Sequence, residues 1–126
     1  MTRPRPSAAF ALALQLLWIS GARAADCPPA DAKLAGAYTL SGVMELGSEL
    51  QLRPDGRFEY MLAYGALDEL ASGCWSREGG VVTLIVSKFE TSMEDPQKFD
   101  RLELKVLAGG KLERQFDAGH VGTYSR

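Results

Sequence analysis

The sequence predicts an all-β protein, an antiparallel up-and-down barrel of about eight strands. Short segments alternate apolar and polar side chains with a period of two, as strands with one buried face do. Turn residues separate these segments at intervals of roughly 10–13 residues, which is typical of a barrel or a sandwich. Short connections favour pairing in chain order, and eight strands in that order can close and leave no exposed edge. An open sandwich of the same strands is the alternative.

The clearest hairpin lies within residues 47–75. Two alternating segments flank Pro54-Asp55-Gly56, in which proline presets φ, aspartate can bond its own backbone and glycine tolerates a positive φ. The apolar members of each segment recur at every second position and therefore share one face. We expect these side chains to face inward: Leu50, Leu52, Phe58, Tyr60, Leu62 and Tyr64.

The remaining strands follow from the same alternation. A lead-in with a short helical turn at residues 30–34 precedes the first strand, and the acidic segment 88–100 is the longest predicted loop. Gly73 interrupts the fourth strand and indicates a bulge or a close backbone approach. Met44 has the inward parity of the first strand, and Arg114 shares its face with apolar neighbours in the seventh. The predicted strands beside the hairpin are 36–46, 67–75, 81–87, 101–106, 112–117 and 120–126.

Residues 1–24 have the pattern of a secretory signal peptide. Arg3 and Arg5 form a positive start, residues 8–20 are apolar, and Ala22-Arg23-Ala24 is a small-x-small cleavage site. Cleavage there leaves a single domain of 102 residues, 25–126, in the periplasm or outside the cell. An N-terminal membrane anchor is the alternative, although the apolar run is short for a span.

The two cysteines and the charge both bear on the compartment and the partners. Cys27 and Cys74 form an even pair in an exported chain, which predicts one disulfide worth about 4 kcal/mol; two free thiols are the alternative. Without its first 24 residues the chain has 11 basic and 16 acidic side chains, a formal charge of −5. Such a charge argues against nucleic acid or an anionic membrane surface as partner, and we expect no membrane span after cleavage.

Several motifs carry a resemblance to a known family. They are Gly36-Ala37-Tyr38 at the first strand, the run from Leu50 to Phe58, and Gly73-Cys74-Trp75 before Val82-Thr83-Leu84. In these motifs the chain resembles small secreted bacterial lipocalin-like domains of the calycin type. The resemblance implies an exported eight-stranded barrel whose interior either holds a small apolar ligand or is packed.

A looser similarity is to periplasmic metalloprotease inhibitors of the same barrel type, which also carry one disulfide. Those inhibitors act through a free N-terminal arm. Cys27 stands at the third position after the predicted cleavage site, where a disulfide would tether such an arm.

The sequence offers few residues for catalysis or metal binding. His120 is the only histidine, and a turn could bring it to Asp117, but a zinc site needs three or four ligands. The acidic residues of segment 88–100 lack the alternating spacing of a calcium loop. We therefore predict no catalytic residue, no metal and no cofactor.

Tyr60 and Tyr64 are the polar groups of greatest interest. Either they direct their hydroxyls at a ligand, or they fill the barrel and bond to backbone or water. The sequence predicts an exported, non-enzymatic binding module for a small hydrophobic ligand, with these tyrosines as its binding residues. The alternatives are a rim that contacts an envelope protein, as a protease inhibitor does, and a small envelope enzyme that uses Asp68, Glu69 or His120.

Overall fold

A computed structural model describes residues 26–126, and the predicted signal peptide lies outside them. Within these residues the chain forms eight strands and two short 3₁₀ helices, Ala32–Leu34 and Ala108–Gly110. No helix in this part of the chain is long and apolar enough to cross a membrane. The strands are β1 (Gly36–Ser41), β2 (Gly47–Leu52), β3 (Arg57–Tyr64), β4 (Leu67–Glu78), β5 (Val81–Thr91), β6 (Arg101–Val106), β7 (Leu112–Asp117) and β8 (His120–Ser125).

The strands form one closed antiparallel barrel in chain order, which confirms the predicted fold class. β8 pairs with β1, with Leu40 opposite Tyr124, so the barrel has no free edge. The architecture is consistent with a calycin-type fold. Because neighbouring strands are antiparallel, successive connections lie at alternate ends of the barrel. We call the end with connections 42–46, 65–66, 92–100 and 118–119 the open end, and the other the closed end.

The closed end is sealed by the lead-in and by the last residue of the chain. The Tyr38 hydroxyl donates to the Leu34 carbonyl at 2.6 Å, and both side chains are buried. Arg126 lies over the Tyr38 ring and donates to the carbonyls of Lys33 and Ala35. These contacts attach both termini of the described chain to the barrel floor.

The predicted disulfide is confirmed at the same end. Cys27 of the lead-in is bonded to Cys74 of β4, with Cα atoms 5.4 Å apart. Beside it, the Ala30 amide donates to the Pro54 carbonyl, which ties the lead-in to the β2–β3 turn. The disulfide therefore fixes the lead-in across the floor of the barrel.

The core follows the predicted alternation with one exception. Leu50, Leu52, Phe58, Tyr60 and Leu62 are all buried, as predicted. Tyr64 is 51% exposed and does not join this buried set. It has the inward parity, but it is the last residue of β3, where the open end no longer encloses it.

The strand boundaries that differ most from the prediction are the ends of β1 and β5. β1 ends at Ser41 because the chain turns at residues 42–46, where Gly42 has φ +97° and Glu45 has φ +63°. Met44 therefore lies on this turn, 84% exposed, and not inside a strand. β5 continues to Thr91, so residues 88–91 belong to a strand and the loop is shorter than predicted.

Gly73 lies at an irregularity in the pairing of β4 with the extended β5. The register between β4 and β5 shifts between Ser72 and Gly73, as predicted for a bulge there. A Cβ atom at Gly73 would clash with the Ile85 carbonyl oxygen, so only glycine fits at this position. Beyond the shift Phe89 pairs with Ala71 and packs against the core.

Substitution of Phe58 by alanine tests the inward register. Phe58 is fully buried, so Phe58→Ala should lower the free energy of unfolding by about 3–5 kcal/mol in urea titrations. The matched control is Leu70→Ala on β4, where the side chain is 57% exposed and the change should stay within about 0.5 kcal/mol. A loss at Phe58 no larger than at Leu70 would mean that the register is wrong.

Candidate functional site

A cavity of about 340 Å³ opens at the open end of the barrel. This volume lies at the lower end of the range of small-molecule sites. Its walls are mainly apolar and come from the β1–β2 turn and from strands β3, β4 and β7. The apolar lining residues are Val43, Met44, Leu46, Leu62, Leu67 and Phe116.

Polar groups lie deep in this cavity and at its rim. Arg114 lines it from β7, on the same inward face as Leu112 and Phe116. Asp95 and Gln97 reach it from the connection 92–100. The site is therefore an apolar pocket with a few polar groups, as is usual for small-molecule sites.

Arg114 is the buried cation of the site, with only 5% of its surface exposed. Its Nη1 donates to the Tyr60 hydroxyl at 3.0 Å and to the Tyr124 hydroxyl at 3.4 Å. The guanidinium carbon lies 4.1 Å from the centre of the Phe116 ring and 5.4 Å from that of Phe99. Aromatic faces attract a desolvated cation, so these rings stabilise the guanidinium in the barrel.

The hydroxyls around Arg114 form an ordered chain of donors and acceptors. Ser48 lies 2.7 Å from both the Met61 carbonyl and the Tyr124 hydroxyl. Ser48 has one proton and gives it to the carbonyl, so Tyr124 must donate to Ser48. Tyr124 and Tyr60 then accept from Arg114, and the proton of Tyr60 is left for another acceptor.

Glu69 is the buried acid of the site, 3% exposed, and it faces inward from β4. Burial, and then the hydrogen bond and negative charge of Asp95, raise the pKa of Glu69 to about 7. The same hydrogen bond lowers the pKa of Asp95. The charge of Arg114, and then the neighbouring Tyr60 hydroxyl, oppose this rise in the pKa of Glu69. Of the two carboxyls, Glu69 is therefore the one that keeps a proton up to about pH 7, whereas Asp95 is ionised.

The structure separates the two tyrosines predicted to bind a ligand. Tyr64 lines the cavity at its rim. Tyr60 lies deeper, and its hydroxyl meets the Arg114 side chain, a partner that neither interpretation of the tyrosines included.

The three residues considered for catalysis, Asp68, Glu69 and His120, lie in different surroundings. Glu69 faces the interior, whereas Asp68 is exposed on the outer face. His120 lies exposed at the rim, where its Nδ1 is 2.8 Å from Asp117 Oδ1, as the sequence suggested; this bond lowers the pKa of Asp117. Within residues 26–126 no three His, Cys, Asp or Glu side chains form a group that could hold a metal ion.

Sequence reasoning missed Arg114 as a site residue. The signal was present, because Arg114 alternates in phase with Leu112 and Phe116 and so belongs to the inward face. Glu69 has the same signal, since it shares its parity with Leu67 and Ala71 on β4. Arg114 and Glu69 can both be identified from the sequence as charged residues among otherwise apolar inward-facing positions of a strand.

The raised pKa of Glu69 predicts how stability depends on pH. The ordinary pKa is 4.5 and the folded value about 7, so between them the folded protein binds more protons than the unfolded chain. The free energy of unfolding should therefore fall as pH rises from about 4.5 to about 7, measured by urea titration.

The variant Glu69→Gln tests the origin of this dependence. It cannot ionise at this position, so the fall should largely disappear. The matched control is Glu49→Gln, at an exposed acid of β2, which should keep it. An equal pH dependence in the wild type and in Glu69→Gln would contradict the assignment.

The chain matches no family model, no curated protein and no solved structure. What it shares with the calycin type is architecture: eight antiparallel strands, paired in chain order and closed. The function is therefore argued from the cavity and its side chains.

Proposed function

We propose that the protein is an exported, non-enzymatic binding module that takes a small, mainly apolar molecule into the cavity at its open end. The observation that carries the proposal is the cavity of about 340 Å³ itself, with apolar walls and a buried arginine. Such a combination of apolar surface with few polar groups is the usual composition of a ligand site.

The two ends of the barrel support entry from one side. The lead-in, Tyr38 and Arg126 seal the closed end. The open end carries the exposed apolar side chains of Met44, Tyr64 and Met93. A molecule with an apolar body would meet these side chains first and then the apolar walls behind them.

Binding accounts for the polar groups better than catalysis does. The Arg114 Nη1, Tyr60 and Tyr124 are joined in one hydrogen-bonded chain, and Glu69 is paired with Asp95. Of the residues that an envelope enzyme could use, Asp68 points away from the cavity and His120 is paired with Asp117 at the rim. This arrangement lacks a nucleophile held by a base.

A second candidate is contact with an envelope protein at the open end, as an inhibitor of the same barrel type would make. The observation that favours it is the exposed apolar rim of Met44, Tyr64 and Met93. The disulfide holds Cys27 against the barrel floor, so a free N-terminal arm near this residue is not available for such contact.

Export is part of the proposal and has its own test. The Cys27–Cys74 disulfide supports an oxidising compartment. Protein recovered from the periplasm or medium should have an intact mass that begins at Ala25, and thiol titration in denaturant should find no free thiol. A full-length chain found only in the cytosol would contradict export.

A thermal-shift screen tests the ligand site. Fatty acids, fatty alcohols, isoprenoids and aromatic acids should include compounds that raise the melting temperature. A ligand at one hundred times its Kd adds about 2.7 kcal/mol to the free energy of unfolding.

Two tryptophan variants of β4 locate the bound compound. Leu67→Trp fills the cavity and should abolish the shift, whereas Leu70→Trp, on the outer face of the same strand, should keep it. If no compound shifts the wild type, or if Leu67→Trp binds as well as Leu70→Trp, the cavity is not the ligand site.

A further inference from the structure

We infer that the ligand of this cavity carries a single carboxylate head group, which binds the Nε–Nη2 edge of Arg114. This inference rests on the proposed function and adds the chemical class of the ligand. Its first basis is that Arg114 is a buried cation without an ion pair. No carboxylate oxygen of residues 26–126 lies within 4.0 Å of its guanidinium, since none of the six salt bridges found there includes it.

An unpaired buried cation is costly to a fold. Removing a guanidinium from water is unfavourable unless an opposite charge and hydrogen bonds compensate for the lost hydration. Phe116, Phe99 and two hydroxyls provide part of this compensation. The cation has no direct anionic partner, and it lines a cavity.

The unused donors of Arg114 have the geometry that a carboxylate needs. Nη1 makes both hydrogen bonds to the tyrosines, whereas the buried Nε has no partner. No hydrogen bond joins Nη2 to any residue from 26 to 126 either. Nε and Nη2 form one edge of the planar fork, and such an edge binds the two oxygens of a carboxylate in parallel.

The two acidic residues whose pKa values Arg114 affects, Glu69 and Asp95, do not bind its free Nε–Nη2 edge. Burial and the neighbouring Asp95 raise the pKa of Glu69 to about 7, so near neutral pH Glu69 is only partly ionised and is an incomplete counter-ion. Asp95 is hydrogen-bonded to Glu69 and, like Glu69, lies beyond 4.0 Å from Arg114. The charge of Arg114 acts to lower the pKa of both carboxyls, but neither carboxyl binds the free edge of its guanidinium.

The same surroundings select a singly charged head. Asp95 lines the cavity as a negative charge and would repel a doubly charged phosphate. The planar guanidinium between aromatic rings suits a planar carboxylate. The walls beyond Arg114 are apolar and the volume is small, which points to a carboxylic acid with a short or medium-length apolar tail.

A series of three compounds with one tail tests the head group on the unmodified protein. Octanoate, octanol and octylamine are titrated by calorimetry at neutral pH. A charge-assisted bidentate pair should make octanoate bind at least about tenfold more tightly than octanol, and octylamine should bind most weakly. Because this comparison needs no variant, it does not depend on whether an altered protein folds.

Variants of Arg114 then assign the effect to this side chain. Arg114→Gln removes the charge and Arg114→Lys keeps it without the fork, so in both the affinity for octanoate should fall toward that for octanol. Arg101→Gln is the matched control, because Arg101 is exposed on β6 and pairs with Glu103. It should leave all three affinities unchanged.

The outcomes separate the head group from the proposed function. If octanol binds as tightly as octanoate, or Arg114→Gln keeps the preference, the carboxylate inference is wrong and the apolar site stands. If the thermal-shift screen yields only neutral ligands, the inference is likewise wrong. If the screen yields no ligand of any class, the proposed function fails and the inference fails with it. An acid with another tail that depends on Arg114 supports the inference.

Discussion

Strand β8 pairs with β1 through Thr39, Leu40 and Ser41, and this closure encloses one face of every strand. In an open sheet an inward polar side chain could turn toward water. In a closed barrel it must find a partner inside or remain uncompensated. The buried Ser48, Glu69 and Arg114 lie on that enclosed face, and so their interactions follow from the closure.

The two ends of the barrel differ in how far their interior is covered. At the closed end a disulfide joins the lead-in to β4, and the Tyr38 hydroxyl and Arg126 donate hydrogen bonds to backbone carbonyls. At the open end the strands finish before their side chains are covered, and the cavity forms there. The contacts that attach the lead-in therefore lie at the end of the barrel opposite the cavity.

The barrel interior holds two ionisable side chains, Arg114 and Glu69, whose polar atoms are not all hydrogen-bonded. Arg114 is stabilised by rings and hydroxyls, and Glu69 is stabilised as a neutral acid beside an ionised Asp95. Glu69 Oε2 and Arg114 Nε are nevertheless buried without hydrogen-bond partners. Native interiors seldom leave such atoms unpaired, and Arg114 lines the cavity at the open end. A ligand carboxylate at Arg114 would satisfy one of the two.

The sequence by itself determined the strand order, the disulfide pair and most of the core. A period of two places Phe58 and Leu62 on one face whatever the tertiary structure, and Pro54-Asp55-Gly56 turns the chain locally. These features depend on neighbours along the chain, which the sequence shows directly. The bulge at Gly73 was visible for the same reason, since a glycine inside a strand marks it locally.

Only the tertiary structure decided which inward residues are buried and which meet each other. Tyr64 and Phe58 have the same parity, but Tyr64 is exposed because β3 ends at the open end. Arg114 and Tyr60 are 54 positions apart, and closure of the barrel brings them within 3.0 Å. Parity gives the side of the sheet but not the distance across the barrel, and the candidate site is made of contacts across it.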